Sequence, residues 1–287
     1  MNELRIATRG SALAMAQARR VADLLSDRHP HMSIRFVEVV TEGDRDTGSD
    51  ITELTEIGAF VTAVQAAVLG GRADLAVHSL KDLPVVYADG KLELAAFPER
   101  AAPFDVLVGL RLDDLTSEST VGSGSPRRSA QLQAMRPDIQ TTALRGNVDT
   151  RVRKVEAGEV DAAILAEAGL DRLGLSDRIA QRLTIEEMVP APGQGALAVE
   201  AMAGSEAAAV AATIDDPSLR TLLTAERELL KRTRAGCRSA LGAYASFSGG
   251  RLRMDLFVSD ERGPRTASVE AEAIEQLVGV SCQELGL

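Results

Sequence analysis

Short apolar runs that end in a turn of glycine, serine and arginine, and then open into a helical pattern, recur along this 287-residue chain. Leu4–Thr8 reads as a strand leading through Arg9-Gly10-Ser11 into an alanine-rich helix that runs to Arg28. Thr120–Gly122 leads through Ser123-Gly124 to Ser125, placed to cap a helix with Pro126 at its first position and Met135 near its end. Ile139–Ala143 leads through Leu144-Arg145-Gly146 into a helix over Asn147–Ala157, and Asp161–Leu165 follows as another strand. Strand, helix and strand in alternation predict α/β domains with parallel sheets. Such sheets bind ligands at the carboxyl ends of their strands, and here the arginines sit there.

Further strands are predicted at Ser33–Val40, Asp74–His78, Val106–Gly109 and Ala196–Glu200, and a helix over Ala59–Leu69. Thr41–Ile57 is polar and rich in glycine and aspartate, and reads as a loop. Val189-Pro190-Ala191-Pro192-Gly193-Gln194-Gly195 reads as a hinge. From about Asp216 the pattern is one long helix, two strands (Leu241–Phe247 and Arg251–Val258) and a terminal helix. No internal repeat is evident in the sequence.

The chain carries 28 arginines but only 4 lysines, against 42 acidic residues, for a formal charge of −10. Genome composition alone can produce such a bias; the placement of the arginines is more telling. Guanidinium groups in Gly/Ser turns meet carboxylates in bidentate fashion. An acidic protein with arginines gathered at strand–helix junctions is expected to hold an anionic ligand in a local cleft, and not to seek nucleic acid or an anionic membrane. Scarce aromatics and no tryptophan argue against a base-stacking surface. The first residues lack a signal-peptide layout, and no apolar run approaches spanning length, so a soluble cytoplasmic protein is expected.

Metal-ligand spacings, a Walker A loop, an opening GxGxxG and a GxSxG elbow are all absent from the sequence, and no metal site is expected. Two residues remain as candidates for chemistry. Cys237, beside Gly236 and among Arg232, Arg234 and Arg238, suits a reactive thiolate, because nearby cations favour that form. On this segment alone a small buried residue is the commoner state of such a cysteine. Asp82 follows the apolar strand in Ala76-Val77-His78-Ser79-Leu80-Lys81-Asp82-Leu83-Pro84. It reads as a general acid/base or a partner for a cationic intermediate, or as a turn cap. Asp105, in Pro103-Phe104-Asp105-Val106, reads as a strand-edge or interdomain contact.

These segments also carry a resemblance. Arg5-Ile6-Ala7-Thr8-Arg9-Gly10-Ser11, Thr41-Glu42-Gly43-Asp44, the Ala76–Pro84 segment, Gly122 to Arg128, Leu144 to Arg151, Ala168-Gly169-Leu170-Asp171-Arg172-Leu173-Gly174, Pro192-Gly193-Gln194-Gly195-Ala196, and Ala225-Glu226-Arg227 with Gly236-Cys237 resemble the porphobilinogen deaminases, in order and nearly end to end. Pro126 and Phe104 depart from that family's usual leucine and arginine, and the Ile57–Ala63 segment is altered. Asp82, Cys237 and the main arginines stay in place.

The resemblance implies two periplasmic-binding-protein-like α/β domains around a cleft and a smaller α+β C-terminal domain. These are expected at 1–98 with 194–214, at 101–189 and at 216–287. It implies a dipyrromethane cofactor in thioether linkage to Cys237, onto which four porphobilinogens are added head to tail with loss of ammonia. It implies Asp82 as the catalytic carboxylate. Cofactor and substrate carboxylates would fall to Arg9, Ser11, Lys81, Ser125, Arg127, Arg128, Arg145, Arg151, Arg172 and Gln194. The substrate is the one partner implied, and a monomer is expected. Two other readings stay open at this level: a divergent paralogue with weak turnover, and a two-domain anion-binding protein that does no chemistry.

Overall fold

The structure is a computed structural model that describes residues 1–39, 53–85, 90–233 and 240–287, with only the backbone at 53–60. The chain divides into two compact units, Met1–Arg100 with Ala196–Arg220, and Ala101–Gly195 with Thr221–Leu287.

The first unit is built on a five-stranded sheet of β1 (Glu3–Arg9), β2 (Ser33–Val39), β3 (Leu75–Ser79), β4 (Leu92–Ala96) and β10 (Leu197–Met202) in the order β2-β1-β3-β10-β4. Successive residues of β1 point to opposite faces. Leu4 and Ile6 join a core with Val21 and Leu25 of α1 (Ala12–Arg28) and the alanines of α6 (Glu206–Ala212). Ala7 joins Val64, Ala67 and Val68 of α2 (Glu53–Leu69) on the other side. Leu4, Ile6, Leu25 and Leu75 are wholly buried, worth about 1.5–3 kcal/mol each.

The second unit also holds a five-stranded sheet. Its strands β5 (Asp105–Gly109), β6 (Thr120–Gly122), β7 (Gln140–Thr142), β8 (Ala162–Ala166) and β9 (Ile179–Arg182) run in the order β7-β6-β8-β5-β9. Leu132 of α3 (Pro126–Met135) packs on one face with Leu107, Val121 and Ile164. Val152 of α4 (Val148–Glu156) and Leu170 of α5 (Glu167–Arg172) pack on the other with Val106, Val108 and Leu165. The same unit includes a three-stranded meander, β11 (Ala240–Ser248), β12 (Arg251–Asp260) and β13 (Gly263–Ala271). One face of the meander is covered by α7 (Pro217–Arg232) and α8 (Ile274–Leu285), through Leu229, Leu277 and Leu285. Ala240, Tyr244 and Phe257 pack instead with Ala130 of α3 and with Val189.

The expected parallel sheets are mixed. In each sheet three strands are parallel, and the fourth, β10 or β5, is antiparallel to both its neighbours. A parallel neighbour needs a crossover of a dozen or more residues. β5 instead follows β4, and β10 follows β9, each arriving from the last strand of the other unit's sheet. β4, β9, β13, α5 and α6 are elements that the sequence patterns did not yield. Of the expected loop over Thr41–Ile57, residues 41–52 lie outside the described residues, and 53–57 form the first turns of α2. Ser125 holds the N-cap position of α3, but its side chain makes no capping hydrogen bond.

The segment read as a hinge is held within the second unit. Val189 N–H donates to Gln131 Oε1 at 2.8 Å, and Gly193 N–H donates to Glu226 Oε2 at 2.6 Å. Gly195 has φ +84°, and a Cβ there would lie 2.5 Å from the Ala101 carbonyl oxygen. Gly158, at φ +73°, has nothing within 4 Å of that position. Gly158→Ala is therefore expected to cost about 1 kcal/mol, the left-handed backbone term alone, and Gly195→Ala about 2 kcal/mol or more, because the carbonyl must also move. Urea denaturation of the two variants checks this; equal midpoints would mean that the close approach at Gly195 does not exist.

Candidate functional site

In the first unit, parallel pairing sets the carboxyl ends of β1 and β3 side by side, with Ile6 opposite Leu75 and Ala7 opposite Ala76. Arg9 ends β1 and Ser11 follows at the N-cap of α1, where its Oγ accepts a hydrogen bond from Ala14 N–H at 3.3 Å. β3 runs into a single 3-10 turn, Leu80–Asp82, whose N-cap position belongs to Ser79. Asp82 is the last residue of this turn, and the Ser79 side chain makes no capping hydrogen bond there. Arg9, Lys81 and Asp82 are all half-buried. The turn is anchored on both sides: Gln17 Nε2 of α1 donates to Ser79 Oγ at 2.7 Å, and Leu80 N–H donates to the Ala196 carbonyl at 3.0 Å. Directly behind it, His78 Nε2 lies 2.9 Å from Oε2 of the wholly buried Glu200, whose two oxygens each accept from Gln65 Nε2 at 3.1 Å. Sequence reasoning missed this polar group; its one signal was a glutamate in the apolar run Ala196–Glu200.

In the second unit, the parallel strands β6, β7 and β8 bring their carboxyl ends to one edge. Arg127 and Arg128 follow β6 in the first turn of α3, Arg145 follows β7, and Arg172 ends α5, which follows β8. Arg145 is exposed and Arg151 half-buried, with Arg151 Nε donating to the Gly146 carbonyl at 2.7 Å. Arg172 Nη2 donates to the Gly195 carbonyl at 2.7 Å. Ser125 is half-buried, and its N–H donates to Ser123 Oγ at 3.2 Å. The sequence-predicted residues of each unit thus gather at the carboxyl edge of that unit's own sheet.

Arg127, Arg128 and Gln194 differ from the others in being buried. Because β5 is antiparallel, its first residue, Asp105, lies opposite Ala166 at the carboxyl end of β8. Asp105 is 0% exposed and lies in a strand flanked on both sides, so it does not sit at an edge of the sheet. Its Oδ1 accepts from Arg128 Nε at 2.8 Å and from Gln194 Nε2 at 3.0 Å. Arg127 Nη1 stands 2.8 Å from Oδ2 while donating to the Val189 carbonyl at 2.6 Å, so its contact with Asp105 is chiefly Coulombic. Gln194 Nε2 also donates to the Pro103 carbonyl at 2.8 Å. Two guanidiniums on one carboxylate leave a net charge of +1, and Arg127 Nε is buried with no hydrogen-bond partner among the described residues.

Burial alone would push the Asp105 carboxyl up; the charges of Arg127 and Arg128 and the hydrogen bond from Gln194 more than offset this and hold it at about 2. A carboxyl depressed in the folded state stabilises the protein fully above its unfolded value, and that contribution is lost as pH falls through the folded one. For Asp105 the window runs from pH about 4 down to about 2, and the contribution is on the order of 2 kcal/mol. Urea midpoints measured across this window should fall less steeply for Asp105→Asn than for the unaltered protein. Identical slopes would deny the ion cluster its part in acid stability.

Cys237 lies outside the described residues, as do Arg234, Gly236 and Arg238. Cys282 is buried in α8, and burial pushes its thiol pKa up against the opposing charge of Arg232. Among the described residues, no helix is long and apolar enough to cross a membrane, and no cluster of His, Cys, Asp or Glu is placed to hold a metal ion.

Two family models match this chain: the porphobilinogen deaminase dipyromethane cofactor binding domain over residues 4–210, and the porphobilinogen deaminase C-terminal domain over residues 221–286. Porphobilinogen deaminase of Thiobacillus denitrificans is 42% identical over 95% of this chain and 90% of its own length. Porphobilinogen deaminase 1 of Streptomyces coelicolor is 45% identical over 84% and 77%. That of Desulforudis audaxviator is 39% identical over 99% and 95%. Among solved structures, the methionine-binding protein MetQ has a TM-score of 0.45 at 11% identity over 74% of this chain and 89% of its own. The similarity to curated relatives, sustained over nearly the whole length and across both family models, places the chain in the porphobilinogen deaminase family.

Proposed function

We propose that this chain acts as a hydroxymethylbilane synthase, joining four porphobilinogen molecules head to tail onto a dipyrromethane primer held by Cys237. The observation that carries the reading is the family match, which spans the cofactor-binding segment and the C-terminal segment alike. It disfavours an anion-binding protein without chemistry. The break between the two matched segments, after residue 210 and before 221, supports a third domain over 216–287 beside domains at 1–98 with 194–214 and at 101–189. The enzyme is proposed to work as a cytoplasmic monomer.

The residues present suit a dipyrromethane. Each pyrrole of such a chain carries two carboxylates, and the second unit offers a buried cluster of net positive charge with an Arg127 Nε unpaired among the described residues. When bound, the cofactor supplies a nucleophilic pyrrole carbon to which the incoming unit is joined. Arg127, Arg128, Arg145, Arg151 and Arg172, with Ser125 and Gln194, hold carboxylates of the growing chain by charge-assisted hydrogen bonds. Arg9, Ser11 and Lys81 serve the same end at the edge of the first sheet. Asp82, on a turn fixed through Gln17 and Ala196, stands where a carboxylate serves the substrate twice. It delivers a proton to the departing amine of porphobilinogen as the carbon–nitrogen bond breaks. It then faces the positive charge left on the pyrrole methylene and accepts hydrogen bonds from ring N–H groups.

The intact mass of protein from a host able to make porphobilinogen is expected to exceed the chain mass by two pyrrole units, with the adduct on the peptide containing Cys237 and none on Cys282. An unmodified mass would sink the assignment. Asp82→Asn should fold yet form hydroxymethylbilane at least ~10²-fold more slowly, and Asp82→Glu should retain more activity than Asn, since charge matters more than reach. Elongation by Asp82→Asn at the parental rate in a single-turnover assay would remove the carboxylate from the mechanism.

A further inference from the structure

We propose that Asp105 is a positioning residue for ligand binding: its carboxylate sets the two guanidiniums of Arg127 and Arg128 so that their surplus charge and spare N–H groups meet a ligand carboxylate. This rests on the proposed function and adds to it a residue that touches no ligand itself. A guanidinium has five N–H groups. Among the described residues, protein hydrogen bonds occupy one on Arg127, to Val189, and two on Arg128, to Asp105 and to the Ile164 carbonyl at 3.1 Å. The remaining donors, on side chains only 4% and 8% exposed, have little water to turn to. Neither arginine is turned by packing alone. Arg128 is aimed by a hydrogen bond to Oδ1, and Arg127 is drawn to within 2.8 Å of Oδ2.

The same Oδ1 also takes the amide of Gln194, so one carboxylate sets three of the proposed ligand-holding side chains. Without its charge, two guanidiniums would be left buried side by side and repelling each other. One carboxylate also leaves the pair short of neutral by one charge. A second carboxylate would satisfy the cluster and close it; among the described residues none pairs with the two arginines besides Asp105, which leaves that place to a ligand's.

The test uses the full chain produced with porphobilinogen available. Asp105→Asn is expected to unfold cooperatively, to carry the covalent dipyrromethane in a smaller fraction of molecules by intact mass, and to raise KM for porphobilinogen about tenfold or more. Because Asp105 acts through Arg128, the effect of Arg128→Gln on KM should shrink severalfold in the Asp105→Asn background. A residue serving packing alone would lower the melting temperature, leave KM and adduct fraction unmoved, and combine additively with Arg128→Gln; that result overturns the inference. Should Asp105→Asn not fold, Asp105→Glu keeps the charge but displaces both guanidiniums by a methylene. Folded protein with raised KM supports positioning, a parental KM overturns it, and loss of cooperative unfolding in both variants assigns Asp105 to packing. An unaltered protein with no adduct and no turnover would defeat the function and this inference together, whereas a silent Asp105→Asn in an active enzyme defeats only the inference.

Discussion

A single wholly buried carboxylate between two buried guanidiniums organises the second unit. Removing charges from water is expensive, and a buried ion pair holds only when geometry and additional hydrogen bonds compensate. Asp105 meets that condition through Arg127, Arg128 and Gln194 together. The consequences spread outward from it. Arg127 also bonds the Val189 carbonyl, and Gln131, one turn further along α3, bonds the same residue through both its amide atoms. The helix and the 189–195 segment are thus fixed to each other. One step on, Glu226 receives Gly193 N–H with one oxygen and Ala245 N–H with the other, which ties that segment to α7 and to the meander. The path from Asp105 to the C-terminal sheet is a run of buried polar contacts within one unit, in which each link fixes the backbone that the next one uses.

The position of Asp105 follows from topology. A fully parallel sheet would have placed the first residue of every strand at the edge opposite the arginines. Reversing the fourth strand brings an amino end to the carboxyl edge. In the second sheet that end supplies the counter-charge for Arg127 and Arg128. In the first sheet the corresponding strand begins at Leu197, paired with Ser79, and the Ala196 carbonyl just before it braces the turn that carries Asp82. The two sheets set their reversed strand in the same fourth place, though it comes last in chain order in one and first in the other, and each uses it to stiffen the edge where its candidate site residues lie.

Much of this was legible in the chain itself. The short apolar runs located β1, β2, β3, β6, β8 and β10 to within a residue or two, and the Gly/Ser/Arg turns marked the carboxyl edge of each sheet. The family resemblance read from the ordered motifs agrees with the family models and the relatives. Strand direction was not legible, because hydrophobic periodicity reports which face of a strand is buried and says nothing of its sense. Asp105 was misread for that reason: a polar residue at the start of an apolar run resembles an edge residue unless the sheet's order is known. β13 escaped notice because most of its residues are at least partly exposed and few of them are apolar, although their burial alternates. Arg127, Arg128 and Gln194 were read as ligand-facing only; their internal partners lie on residues 22 to 91 positions away in sequence.

The charge distribution resolves an apparent conflict between the whole molecule and its proposed ligand. A chain of net charge −10 repels a polyanion at a distance. At physiological ionic strength, though, exposed charges are screened beyond about 8 Å, and most of that excess lies on the surface. The Asp105 cluster is buried, where screening is weak and one unit of surplus positive charge counts for more than several exposed negative ones. Arginine suits the role better than lysine because its planar fork offers several donors at once. Part of the fork can be spent on an internal carboxylate or carbonyl while the rest stays directed at a ligand. Arg127, Arg128 and Arg172 each spend donors in this way, on Val189, on Asp105 and Ile164, and on Gly195. A lysine ammonium in the same places would offer three donors around a single nitrogen and no fixed plane. The preference for arginine at these strand–helix junctions is therefore what a site needs if it must be rigid before its ligand arrives.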